Sequence, residues 1–171
     1  MKRFYKPAAL LAAAAAAFSF AGCSGSPSDG TDGDTKTIGV IQYAVHASLD
    51  NCYDGLVQGL AEAGYTQGEN LTIDFQNAQS QTTTADQLAQ NMAAKNYDMI
   101  IGIATPAAMS AYAAARDTEI PVVFCAVSDP VSAGLVSSLD APGGNCTGTS
   151  DLLNLEAQLR LIRAVQPEAK T

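Results

Sequence analysis

Apolar positions switch repeatedly between two periods along residues 37–165. Residues 37–43 (TIGVIQY) form a β-branched apolar run and predict a first strand. Over 49–63, Leu49, Cys52, Tyr53, Leu56, Val57, Leu60 and Ala61 recur at helical spacing, and Gly64 suits the stop. Residues 70–75 alternate through Leu71, Ile73 and Phe75 as a second strand, and 84–95 return to helical spacing through Ala85, Leu88, Ala89 and Met92. Residues 98–103 (DMIIGI) read as a third strand. Thr105-Pro106 then opens an Ala-rich helix to Arg116, with Thr as N-cap and Pro as first helical residue. Residues 121–127 (PVVFCAV) are a fourth strand, broken by Ser128-Asp129-Pro130. Residues 131–139 follow as a short helix or turn, 141–145 as a loop, 146–150 as a fifth strand and 152–165 as a last helix. Strands alternating with helices predict βαβ crossovers, hence an α/β fold with a parallel sheet and helices on both faces.

The first 36 residues follow other rules. Lys2, Arg3 and Lys6 precede an Ala-rich apolar run at 8–20, which is short for a membrane span but suits a secretory signal over 1–22. Cys23 follows the small residues Ala21 and Gly22, in the manner of a bacterial lipobox, in which the cysteine is acylated. Residues 24–36, rich in Ser, Gly, Asp and Thr, extend from Cys23 as a flexible tether. The expected place is therefore the extracytoplasmic face of the cell membrane, held by lipid. All 17 acidic residues lie after Gly22 against six Lys or Arg, a net charge of −11, which disfavours nucleic acid and anionic lipid surfaces as partners.

Ligands of open parallel sheets bind outside the carboxyl ends of the strands. Those ends carry Gln42 and Tyr43, Thr105, Ser128 and Asp129, and Ser150 and Asp151. Thr105, at a helix start, suits an anion or carboxylate, or serves only as a cap. Gln42 and Tyr43 can hydrogen-bond and stack on a ligand, or form a surface pair. Ser128 and Asp129 can take an amine, or close a turn with Pro130. Asp151 most simply caps the last helix. His46, the single histidine, reads as a loop residue and leaves no metal site. Cys52, Cys125 and Cys146 show no CxxC spacing; Cys52 and Cys125 read as small core residues, and one disulfide among the three stays open. No nucleophile–base set, phosphate loop or dinucleotide fingerprint occurs, so neither catalysis nor a cofactor is expected.

The stretches IGVIQYAVHASLD, GLAEAGYTQGENLTIDFQNAQ, IIGIATPAAMSA, IPVVFCAVSDPVSAGLV and PGGNCTGTSDL resemble the ABC-transporter substrate-binding proteins that include tryptophan and tyrosine binders. His46-Ala47 stands where that family often has His-Pro, and Cys146 where it often has Val. The resemblance implies a two-lobed clamp on a small solute, an amino acid of a class that includes aromatic ones, passed to a permease and its ATPase. Residues 37–151 would be the first lobe, 152–171 a helix leading to a second. The implied contacts are Gln42, Tyr43, Thr105, Ser128, Asp129, Ser150 and Asp151. A ligand-sensing lipoprotein for a membrane receptor is the alternative function; a secreted enzyme on a flavodoxin-like sheet and a cytosolic repressor's ligand domain fit less well.

Overall fold

The computed structural model describes residues 35–168. The expected signal segment, Cys23 and most of the expected tether lie outside the described residues. Nine elements follow in order: β1 (Lys36–Gln42), α1 (Ala47–Glu62), β2 (Leu71–Asn77), α2 (Thr82–Ala94), β3 (Met99–Ile103), α3 (Thr105–Ala115), β4 (Val122–Val127), β5 (Cys146–Ser150) and α4 (Leu155–Val165). The expected alternation holds, with no boundary moved by more than three residues. Residues 131–139 form turns and no helix.

The five strands form one parallel sheet in the order β2-β1-β3-β4-β5. After β1 the chain steps outward to β2, then returns to build β3, β4 and β5 on the other side. The strand order therefore reverses between β1 and β3, which is where open sheets place their ligands. In register, Gln42 at the end of β1 faces Ile103 at the end of β3.

Two apolar layers hold the sheet. On one face Ile38, Val40, Leu71, Ile101 and Ile103 pack under α1 through Leu49, Cys52, Tyr53, Leu56 and Leu60. On the other, Ile41, Ile100, Val122, Phe124 and Cys146 meet Ala85, Ala89 and Met92 of α2 and Ala107, Ala108, Ala111 and Ala115 of α3. Alanines let α3 lie close to the sheet, and Gly102 makes that approach feasible: a Cβ there would sit 2.4 Å from the Ala108 Cα. Helix α1 ends with Gly64 at φ 90° and a bond from the Tyr65 N–H to the Leu60 carbonyl, so Gly64 is the stop that its sequence position suggests. Helix α4 buries none of its residues, and Leu155, Leu159 and Ile162 stay exposed. Among the described residues no helix is long and apolar enough to cross a membrane.

Candidate functional site: the carboxyl edge of the sheet

Gln42 ends β1 and is 1% exposed. Its amide nitrogen donates to the Ala44 carbonyl at 2.8 Å and to Asp50 Oδ1 at 2.8 Å. Its Oε1 is buried with no hydrogen-bond partner. A buried acceptor left unpaired costs about 1–3 kcal/mol. Asp50, in the first turn of α1, is the residue that orients this amide, and the sequence pattern did not single it out. Its signal was position alone, eight residues after Gln42.

Tyr43 follows, half-buried. Its N–H donates to the Ile103 carbonyl, tying the ends of β1 and β3. Its hydroxyl donates to the Ser80 carbonyl at 3.1 Å, and its own carbonyl accepts the Ser80 N–H. The phenol is thus spent on the β2–α2 turn, with the ring still at the edge. His46 is the N-cap of α1, its Nδ1 accepting the Ser48 N–H at 3.2 Å.

Thr105 begins α3, but the N-cap is Ala104, at φ 77° and ψ 155°. The shift has a cause: the Ala104 N–H still bonds to the Cys125 carbonyl, so the β3–β4 ladder runs to that residue and the chain must turn there at once. Ala104 supplies no side-chain cap. Pro106 has no N–H, so the donors of the first turn at the positive end of the helix are the N–H groups of Thr105 and of the buried Ala107.

At the end of β4 the ladder to β5 shifts register between Phe124 and Val127, with Ala126 at φ 55°. This bulge ends in Ser128 and Asp129, both exposed. Asp129 accepts the Ser132 N–H at 2.9 Å and the Ser132 hydroxyl at 2.6 Å, bonds that hold its carboxyl below the usual range. It closes the turn at Pro130 and remains open to solvent as an anion. Ser150, the last residue of β5, donates through its hydroxyl to the Ser128 carbonyl at 3.2 Å, so these two loops meet. Asp151 does not cap α4: its N–H bonds to the Val127 carbonyl, which keeps it in the ladder, and Asn154 caps instead, accepting the Ala157 N–H. Freed from capping, the Asp151 carboxylate lies near enough to Cys52 on α1 to help raise that thiol's pKa, behind the larger effects of burial and of Cys125.

All seven expected residues therefore stand on one edge. Gln42, Tyr43 and Thr105 sit at the strand-order reversal, and Ser128, Asp129, Ser150 and Asp151 sit at the adjoining β4 and β5 ends. Among the described residues, four of the five non-glycine residues at positive φ, Gln79, Ser80, Ala104 and Ala126, lie on this edge as well. Such strained conformations concentrate at binding and catalytic sites. A cavity of about 350 Å³ lined by Lys36, Ile38, Leu60, Tyr65, Asp98 and Met99 lies at the opposite, amino edge. It is mainly apolar, and the one carboxylate in it is paired with Lys36. No cluster of three or more His, Cys, Asp or Glu suited to a metal occurs among the described residues.

The chain is similar to several known proteins. Residues 37–171 match the family model described as ABC transporter substrate binding protein. A tyrosine-binding protein of Clostridioides difficile is 44% identical over 135 residues, which are 79% of this chain and 39% of that protein. The ligand-free, open structure of a Clostridium difficile substrate binding protein with adhesive properties superposes with a TM-score of 0.71 at 43% identity, over 79% of this chain and 45% of that one. An ABC domain from Streptococcus pneumonia in complex with L-Trp gives 0.75 at 40% identity, over 80% and 45%. A conserved domain protein of Vibrio cholerae gives 0.75 at 41%, over 78% and 45%. The chain spans less than half the length of each.

Proposed function

The chain belongs to the ABC transporter substrate binding protein family, and from that premise we propose that it supplies one jaw of an extracytoplasmic amino-acid binder for an importer. The solute is a zwitterion, held at the carboxyl edge of the sheet. The orphan Gln42 Oε1 carries this reading: it is a buried acceptor without a donor at the end of β1, and α3 starts without a side-chain cap after the neighbouring β3. An α-amino acid answers both needs. Its carboxylate suits the Thr105 and Ala107 N–H groups, and its ammonium suits Gln42 Oε1 and the Asp129 and Asp151 carboxylates. An aromatic side chain is favoured by the relatives described as binding tyrosine and L-Trp. Two lobes that close on such a solute remove it from water and strengthen each contact. The bound solute then passes to a permease driven by its ATPase.

Titration calorimetry with L-tyrosine, tyramine and 3-(4-hydroxyphenyl)propionate tests the zwitterion. Tyrosine binds, and loss of either charged group weakens binding at least about tenfold. Equal affinities for all three, or none for any amino acid, contradict the proposal. The Ala21-Gly22-Cys23 junction supports attachment by acyl chains on Cys23. Cys23→Ser should release the protein from the membrane fraction, and a variant that stays membrane-bound contradicts the anchor.

A further inference from the structure

Three cysteines lie among the described residues, and all three are free thiols in the structure. They are not equivalent. Cys146 is 2% exposed and packs with the α2–α3 layer, where burial pushes its thiol up to about 11. Cys52 of α1 and Cys125 of β4 pack in the layer on the other face of the sheet. After burial, Cys125 is the next cause that holds the Cys52 thiol above its ordinary value. Both are only half-buried, and both line a hollow of about 250 Å³ between α1 and the sheet, with Leu56, Ile103 and Thr149. The Thr149 hydroxyl donates to Cys125 Sγ at 3.7 Å. Two thiols on separate elements that face one open hollow have the arrangement that thiol–disulfide exchange requires.

We propose that Cys52 and Cys125 form a paired-thiol site that a low-molecular-weight disulfide oxidises to an intramolecular cross-link between α1 and β4. One thiolate attacks a sulfur of the oxidant, breaks its S–S bond and expels one thiolate. The second cysteine then attacks the mixed disulfide and expels the other. The protein pair loses two electrons and two protons, and the oxidant leaves as two thiols. Cys146 takes no part, because the sheet separates it from the pair. The cross-link would fasten α1, whose Asp50 orients Gln42, to the strand that ends in the Ala126 bulge and Ser128-Asp129. It would therefore stiffen both halves of the carboxyl edge.

The test is incubation of the full folded chain with oxidised glutathione, then peptide mapping under non-reducing conditions. A protease cutting before aspartate separates 50–53, 117–128 and 140–150, so each cysteine has its own peptide. The expected product is 50–53 joined to 117–128, about 2 Da lighter than the sum of the free peptides, with 140–150 unmodified. The oxidised chain should melt at least about 5 °C higher than the reduced one, because a long loop is closed. Cys52→Ser and Cys125→Ser should each leave a stable glutathione adduct on the remaining partner. Separate adducts on both cysteines of the wild type, a link to Cys23 or Cys146, or no reaction without denaturant would each overturn the proposal.

Discussion

The Gln42 amide donates to Asp50 Oδ1 at 2.8 Å, and this bond joins the last residue of β1 to the first turn of α1. It fixes which way the amide faces. With Nε2 engaged by Asp50 and Ala44, the Oε1 atom is the one left over. Asp50 therefore acts on a ligand through Gln42, and removing its carboxylate should free the amide to rotate.

Replacing Asp50 by Ala should weaken amino-acid binding by about tenfold while lowering stability by no more than about 1 kcal/mol, since Asp50 is itself exposed to solvent. Calorimetry and thermal melts on the same sample separate the two effects. Unchanged affinity would remove Asp50 from the account.

Gly102 to Ala should be severely destabilising. The added Cβ would meet Ala108 Cα at 2.4 Å, Ala108 N at 2.5 Å and Ala107 C at 2.8 Å, all backbone atoms of α3. The helix would have to lift from β3, at a cost on the order of 3 kcal/mol. Urea unfolding should show this as a lower midpoint, and a neutral result would mean that α3 sits further from the sheet.

Ala104 and Ala126 hold φ of 77° and 55°, where a Cβ is disfavoured. Glycine at either position should leave the fold unchanged and relieve roughly 0.5–2 kcal/mol of strain, net of the greater freedom of the unfolded chain. A clear loss of stability in denaturant melts would contradict the assigned backbone.

Asp98 pins β1 to β3 at the amino edge, accepting the Thr37 N–H at 2.7 Å and pairing with Lys36 at 3.3 Å. The Thr37 N–H first, with smaller help from Lys36, holds its carboxyl below the ordinary value. A carboxyl depressed on folding stabilises the native state above its unfolded pKa, and that contribution is lost as pH falls through the folded pKa. Asp98→Asn should therefore lower stability at pH 7 by on the order of 0.5–1 kcal/mol, discounted because the side chain is 41% exposed. The difference should shrink below about pH 4 and vanish at still lower pH. A gap that stays constant with pH would exclude an ionised Asp98.

The alternation of apolar runs and helical spacing was enough to place every strand and helix among the described residues, because each element buries one layer and its periodicity records that burial. Cys146–Ser150 needed no revision. The expected edge residues were legible because a parallel sheet presents its strand ends together. What stayed hidden were events of hydrogen bonding between distant elements. Thr105 looked like a cap because nothing local shows that the Cys125 carbonyl holds Ala104 in the ladder. Asp151 looked like a cap for the same reason, with Val127 as its partner. Alanine carries no signal for positive φ, so the turns at Ala104 and Ala126 were unreadable. The orphan on Gln42 depends on Asp50 and on burial, which exist only in the folded chain.

An amino acid is proposed to bind at the carboxyl edge, between β1 and β3. The most direct measurement is an amide chemical-shift titration of the chain with L-tyrosine. Saturable shifts should concentrate at Gln42, Tyr43, Thr105 and Ala107 and extend to Ser128, Asp129, Ser150 and Asp151. Shifts centred instead on Lys36, Tyr65 and Asp98 at the amino edge, or no shifts at any amino-acid concentration, would contradict it.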